Sequence, residues 1–322
     1  MDEVLVLGQR GEQSSTLSRQ RSAESISAFL IRDSIGQFPD QNVSEAVRRL
    51  HGVSVQNDQG EGRFVVLRGM DPSLNASALN GVRLPSPEAD TRAVALDVVP
   101  SELIESIEVQ KSLTPEMDGD AIGGTIDIKT TSALDRDGPF LGLSGQMSYN
   151  DLRDDWSPKF GIDASNRLGD RLGVSAAVSY FERVLGSENM EMDDWTEEEG
   201  IIYAESFELR NYDVERTRIG ATLGLDFEAS DATRLYARGI YNTFKDVEYR
   251  TRLSLDFGDA KPVGGNAGTS ANFNLGPGEE IGVERDLKDR TEKQNIYSIQ
   301  AGGETFADQW TFNYQAAFSH AE

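Results

Sequence analysis

From Arg171 onward the chain alternates apolar and polar residues with a period of two, the signature of strands with two unlike faces. In Arg171–Arg183, Leu172, Val174, Ala176, Val178 and Tyr180 share one face, while Gly173, Ser175, Ala177 and Ser179 share the other. Arg218–Glu228 repeats this, with Ile219, Ala221, Leu223, Leu225 and Phe227 set against Arg218, Gly220, Thr222, Gly224 and Asp226. Near the end, Trp310, Phe312, Tyr314, Ala316 and Phe318 alternate with Thr311, Asn313, Gln315, Ala317 and Ser319. Leu141, Leu143, Met147 and Tyr149 mark a weaker first strand. Thr233–Asn242 departs from the pattern, because Tyr236 and Ile240 fall on its polar face.

The punctuation between these runs is uneven. Gly169-Asp170, Ser230-Asp231 and Ala307-Asp308-Gln309 read as tight turns, and long polar connections are expected near Asp151–Ser157, Ser187–Ser206 and Gly258–Arg290. A chain that crosses a membrane repeatedly as strands has short turns on one rim and long loops on the other. Trp310, Phe227, Tyr149 and Tyr180 sit near strand ends, where interfacial aromatic residues belong. A soluble β-sandwich also alternates but does not require the asymmetry of connections. Seven strands are predicted, near 140–150, 158–168, 171–185, 207–228, 233–257, 281–306 and 310–322.

Before Ser132 the pattern is different. Glu3–Leu7 is a short strand-like run, Gly8–Arg21 is polar and expected to be mobile, and Ser25–Ile35 reads as a short helix or irregular turn. Asn42-Val43-Ser44-Glu45 has the form of a capping box, and Val43, Ala46, Val47 and Leu50 then follow at helical spacing up to Gly52. Phe64–Arg68 is a predicted strand ended by Gly69, and Leu79-Asn80-Gly81-Val82 carries the Asn-Gly hairpin signal. A helix is expected after Pro100, with Leu103 and Ile104 packing inward, then a strand through Ile107 and Val109. Thr125–Thr130 follows the Gly123-Gly124 pair as a last strand. These pieces amount to a small α/β unit.

Composition narrows the function classes. Lys and Arg total 31 against 55 Asp and Glu, a net charge of −24, which argues against a nucleic-acid partner. The absence of cysteine excludes disulfides, thiolate catalysis and cysteine metal sites. His51 and His320 are the only histidines, so no histidine-based metal centre or nucleophile–base pair is expected, and no enzyme is read from the chain. Glu116, Asp118 and Asp120 lack the ligand spacing of an EF-hand, and Gly119–Gly124 lacks the Lys and following helix of a phosphate loop. The acidic tract Glu188–Glu205, with Glu191, Asp193, Asp194, Glu197, Glu198 and Glu199, reads as a solvated loop, with binding of divalent cations or ligand as the functional alternative. Trp195 and Tyr203 within it are candidates for stacking on sugar rings. No apolar window is long enough for a transmembrane helix, a condition that a closed β-barrel does not need to meet. Met1–Arg10 lacks the basic and apolar regions of a signal peptide.

Three segments in order, NVSEAVRRLHGVSV, FVVLRGMDPSLNASALNGVRLPSP and AVALDVVPSELIESIEVQKSLTPEMDGDAIGGTIDIKT, resemble the plug domain of TonB-dependent outer-membrane receptors over Ser22–Ser132. The wording is most similar to the branch common in Caulobacter- and Xanthomonas-type bacteria. The fold this implies is an α+β plug domain, a small mixed sheet with short helices, followed by an incomplete antiparallel transmembrane β-barrel. Expected domains are a TonB-box-like segment and linker at 1–21, the plug at 22–132 and barrel strands at 133–322. The family's barrel has roughly 22 strands, so a fragment of a longer protein is expected.

The resemblance also implies function. TonB and its inner-membrane energy complex are the expected partners, with outer-membrane lipid around the wall, a small nutrient as ligand, no cofactor and an outer-membrane location. Asp2, Glu3, Val4, Leu5, Val6 and Leu7 resemble a TonB box, which binds by strand addition, although Leu7 stands where Thr is more common. Arg68, Gly69, Asn80, Gly81, Gly123 and Gly124 match recurrent plug motifs and take structural or gating roles. The branch includes carbohydrate transporters, which points to an oligosaccharide, with a ferric siderophore as the alternative. A surface-binding or adhesin module without transport is the rival of a different class.

Overall fold

Two sheets of opposite character organise the computed structural model, which describes residues 9–23, 25–31, 42–88, 91–99, 104–115, 117–130, 132–135, 138–257, 260–266, 270–276 and 280–322. The N-terminal part holds helix α1 (Gln9–Ser22), strand β1 (Ser27–Ile31), helix α2 (Val43–Val47), the hairpin of β2 (Val53–Asp58) and β3 (Glu61–Leu67), and strands β4 (Asn75–Leu79), β5 (Val82–Arg83), β6 (Ser106–Gln110) and β7 (Gly124–Lys129). Five of these strands form one mixed sheet in the order β1-β6-β7-β4-β5, with β4 parallel to β7 and the other pairs antiparallel.

Local chemistry explains most of these elements. The Asn42 side chain caps α2 by accepting from the Glu45 amide at 3.0 Å, and the helix buries Val43, Ala46 and Val47. Asn80 and Gly81 both take positive φ, 49° and 80°, which is the geometry of the tight hairpin between β4 and β5. Two expectations are corrected. Ser25–Ile35 contains strand β1 rather than a helix, because Ala28 and Leu30 alternate inward while the backbone pairs along β6. Gly8–Arg21 is largely helical, as α1. The segment Asp2–Leu7 and the helix start at Pro100–Leu103 lie outside the described residues.

The second sheet is antiparallel and contains only sequential neighbours. Its seven strands are β8 (Phe140–Asn150), β9 (Asp155–Leu168), β10 (Leu172–Glu198), β11 (Ile201–Ser230), β12 (Thr233–Asp256), β15 (Gly282–Ala307) and β16 (Trp310–Ala321), with the small hairpin β13 (Pro262–Asn266) and β14 (Ser270–Phe273) set between β12 and β15. β8 and β16 are its edges, and the sheet is not closed. The expected long loops at 151–157 and 187–206 are corrected as well. The chain turns tightly after Asn150, and β10 and β11 continue as a ribbon as far as Glu198 and Ile201. The connection between β12 and β15, residues 257–281, is long as expected, whereas the other two connections on that rim are short and the strands themselves extend.

The two faces of this sheet differ as the alternation requires. One face carries Leu143, Ile162, Val178, Leu223, Ile299 and Phe318, all more than half exposed. The opposite face holds the N-terminal domain. Ala177, Ile240, Phe244 and Ile296 of the sheet join Leu30, Val47, Leu67, Leu96, Ile107 and Ile128 in one buried cluster. Ile240 broke the alternation for this reason: it is an apolar contact with the domain on an otherwise polar face.

Candidate functional site between the N-terminal domain and the sheet

Charged side chains in mid-strand decide how the domain is seated. On β11, Arg216 and Arg218 point to the inner face and are only 2% and 1% exposed. Both reach Glu61 at the start of β3, whose Oε2 accepts from Arg216 Nη1 at 2.8 Å and from Arg218 Nη2 at 2.9 Å. Arg183 on β10 closes on the other oxygen, with Nη1 3.2 Å from Glu61 Oε1. Arg216 further pairs with Asp58 at 3.1 Å and donates through Nε to Asp246 on β12 at 2.9 Å. Arg218 donates through Nε to the Asp97 carbonyl at 2.7 Å, and its guanidinium lies 4.7 Å from the Phe244 ring centroid.

Burial alone would raise the Glu61 carboxyl, but Arg218, Arg183 and Arg216 hold it well below the usual carboxylate range. Asp97 behaves oppositely. Burial pushes its carboxyl up to about 6, with Arg218 opposing and Glu61 reinforcing the shift. Its Oδ2 lies 3.6 Å from Arg218 Nη2, and its Oδ1 has no partner among the described residues. Removing Glu61 strands Arg183, Arg216 and Arg218 as uncompensated buried charge, which costs about 3–5 kcal/mol.

A second junction lies toward the tight-turn rim. Ser132, just after β7, donates to Asp226 Oδ2 at 2.8 Å and accepts from Arg234 Nη2 at 2.7 Å. Arg167 Nη2 donates to the Leu134 carbonyl at 2.7 Å.

The sequence-predicted residues fall in different places. Arg68 has φ 55° and donates to the Ile122 carbonyl at 2.7 Å, beside Gly123-Gly124. A Cβ on Gly123 would overlap Asn75 Oδ1, and Gly124, at φ 131°, lies against the Gln110 carbonyl. Gly69 has φ 74° and open space around it. The Asn80-Gly81 turn is bonded to β7: Asn80 N donates to the Ile128 carbonyl at 2.7 Å and Gly81 N to Asp127 Oδ1 at 3.0 Å. Arg68, Asn80, Gly81, Gly123 and Gly124 thus border β7 at its two ends, away from the Glu61 cluster. Trp195 pairs with Ala204 and Tyr203 with Thr196, so successive rows place the two rings on opposite faces of the ribbon. Trp195 is exposed, whereas Tyr203 is buried edge-on against Phe273. Asp118 and Asp120 are engaged by Arg83, and no cluster of metal-ligating residues occurs among the described residues.

Glu61, Asp97, Arg183, Arg216, Arg218 and Asp246 were not selected from the sequence. For Arg183, Arg216, Arg218 and Asp246 the one visible signal is charge within predicted strands, as at Arg218 between apolar neighbours; Glu61 and Asp97 carry none.

Residues 18–125 match the family model of the TonB-dependent receptor plug domain. Among solved structures, a mutant ferric enterobactin receptor (PfeA) from Pseudomonas aeruginosa is 13% identical at a TM-score of 0.44, with 95% of this chain and 58% of that chain covered. The siderophore receptor PirA from Acinetobacter baumannii is 16% identical at 0.44, with 94% and 49% covered. The ferric-catecholate import receptor Fiu from E. coli K12 is 12% identical at 0.41, with 93% and 60% covered. This chain spans 49–60% of the length of these three chains. Its architecture is a plug domain followed by an open antiparallel sheet.

Proposed function

We propose that the chain acts in TonB-dependent uptake of a nutrient across a bacterial outer membrane, with residues 22–132 as the plug and residues 133–322 as wall. One observation carries the reading: a domain matching the plug family is seated on the polar face of an antiparallel sheet through the buried Glu61–Arg183–Arg216–Arg218 cluster, while the opposite face is apolar. Alternating strands with an apolar outer face suit a lipid-facing wall, and no helix among the described residues is long and apolar enough to cross a membrane. Transport rather than catalysis follows from this reading. The plug motifs quoted above support the Caulobacter- and Xanthomonas-type branch.

Of the cargo alternatives, a ferric siderophore has more support than an oligosaccharide. Beyond the plug, the inner face carries Arg210, Arg250, Arg252 and Lys288. Arg250 keeps only a 3.4 Å contact with Asp286, and its Nε has no partner among the described residues, which suits an anionic chelate. Trp195 and Tyr203, on opposite faces, do not frame one sugar ring.

Asp2, Glu3, Val4, Leu5, Val6 and Leu7 are proposed to couple the plug to TonB by adding a strand. A peptide of Met1–Ser15 titrated with the periplasmic domain of TonB should give saturable amide shifts in NMR spectra, and Val4→Pro should abolish them. The whole chain should bind a ferric catecholate more tightly than a neutral oligosaccharide. Absence of peptide binding at millimolar concentration would remove the coupling role from this segment and favour a surface-binding module.

A further inference from the structure

We propose that Lys245 and Lys293 form a site for the phosphate of an outer-leaflet lipid headgroup, a reading that rests on the assignment of the apolar face to the membrane. The two lysines are directly paired across β12 and β15 and lie on the outer face, the same face as Tyr241, Tyr249 and Ile299. Both are exposed, and neither has an ion pair among the described residues. Like charges directly opposite one another destabilise a strand pair. A doubly charged phosphate between them reverses that sign.

Their height on the wall identifies the anion's source. On the outer face the row below them is Tyr180, Ile219, Thr243 and Asn295, and the next is Val178, Ala221, Tyr241, Tyr297 and His320. The continuous apolar belt thus passes through a tyrosine row. Lys245 and Lys293 stand about 7 Å farther along their strands than Thr243 and Asn295, in the first row where those two strands carry charged side chains and with Tyr249 two rows beyond. Lipid phosphates lie at that level, where charged side chains first appear among the interfacial tyrosines.

The carboxylates nearest on this face, Glu182 two strands away in the same row and Glu215 and Glu322 in the adjoining rows, have other partners. Glu182 accepts from Tyr180 Oη at 2.6 Å, Glu215 lies 3.7 Å from Arg153 and Glu322 accepts from Asn295 Nδ2 at 3.0 Å. In a chain of net charge −24, two adjacent cations with no ion pair among the described residues form a local positive site that an external anion can fill.

The test uses the full chain in maltoside micelles, with native mass spectrometry as the readout and dioctanoyl phosphatidate, dioctanoylglycerol and inorganic phosphate as probes. Phosphatidate should bind, and the double variant Lys245→Ala/Lys293→Ala should bind it about thirtyfold more weakly. Lys245→Arg/Lys293→Arg should restore binding, and dioctanoylglycerol should not distinguish the proteins. Equal phosphatidate binding to wild type and the alanine variant would overturn the proposal. Inorganic phosphate binding as tightly as phosphatidate would overturn the lipid as its source. A parallel measurement separates this proposal from the reading beneath it. With Trp156→Phe and Trp195→Phe leaving Trp310 as the sole tryptophan, a brominated maltoside should quench its fluorescence. Quenching without phosphatidate selectivity removes the lysine site alone. Absence of quenching removes the membrane-facing assignment and the site with it.

Discussion

At the scale of single residues, Glu61 and Asp97 show how one buried cluster gives neighbouring carboxyls opposite behaviour. Glu61 faces three guanidinium groups and stays ionised, whereas Asp97 is buried with a distant partner and an unpaired oxygen. Glu61→Gln leaves Arg183, Arg216 and Arg218 without their shared charge and should lower unfolding free energy by about 3–5 kcal/mol, measured by urea denaturation in micelles. Asp97 sets a pH dependence. Its folded-state value of about 6 lies above the ordinary 3.8, so the folded chain binds the proton more tightly than the unfolded chain. Stability from this group is therefore highest in acid and declines as pH rises from about 4 to about 6. Asp97→Asn should remove that decline. The variant should exceed wild type by about 2–3 kcal/mol at pH 8, and the difference should shrink toward zero near pH 4, as read from denaturation at each pH.

Elements of the plug are fixed by turns and junctions that sequence reading reaches well. The Asn80-Gly81 hairpin, the Asn42 cap and strands β6 and β7 fall where spacing and turn chemistry place them. Gly81→Val puts a β-branched side chain at φ 80° and should cost about 1–2 kcal/mol, seen as faster amide exchange in β4, β5 and β7. β1 and α1 were not legible, for different reasons. β1 is short, and its strand geometry is imposed by pairing with β6, which is distant in sequence. α1 is strongly polar, so it offers no apolar stripe to detect. The ribbon of β10 and β11 reads as a loop because Glu188–Glu205 is so strongly acidic that the alternation of Met190 and Met192 with polar residues is masked. Backbone pairing carries it as strand, with Glu191 held by Arg210 at 2.5 Å.

On the scale of the whole molecule, the two faces of the seven-stranded sheet define inside and outside. Leu223 is 54% exposed in the middle of the apolar belt. Leu223→Arg should cost about 2–4 kcal/mol of transfer into a bilayer. The neighbouring Thr222→Arg, on the inner-face parity, should cost less; the measurement compares folding of both variants into vesicles. Equal penalties would contradict the assignment of faces.

What the sequence determined by itself was local and periodic. Alternation set the seven strands and their faces, Asn-Gly and glycine pairs set the turns, and three motifs in order pointed to the plug family. These signals are legible because strand period and turn stereochemistry act within a few residues. Only the tertiary structure decided which charges meet. Glu61 lies more than a hundred residues from Arg183, Arg216 and Arg218 in the chain, and nothing near any of them in sequence points to the others. Lys245 and Lys293 became a pair through the register of β12 against β15. Ile240 and Phe244, apolar on a polar face, made sense once the plug covered them. Long-range pairing is set by register and burial summed over many strands, and no single stretch of sequence contains that sum.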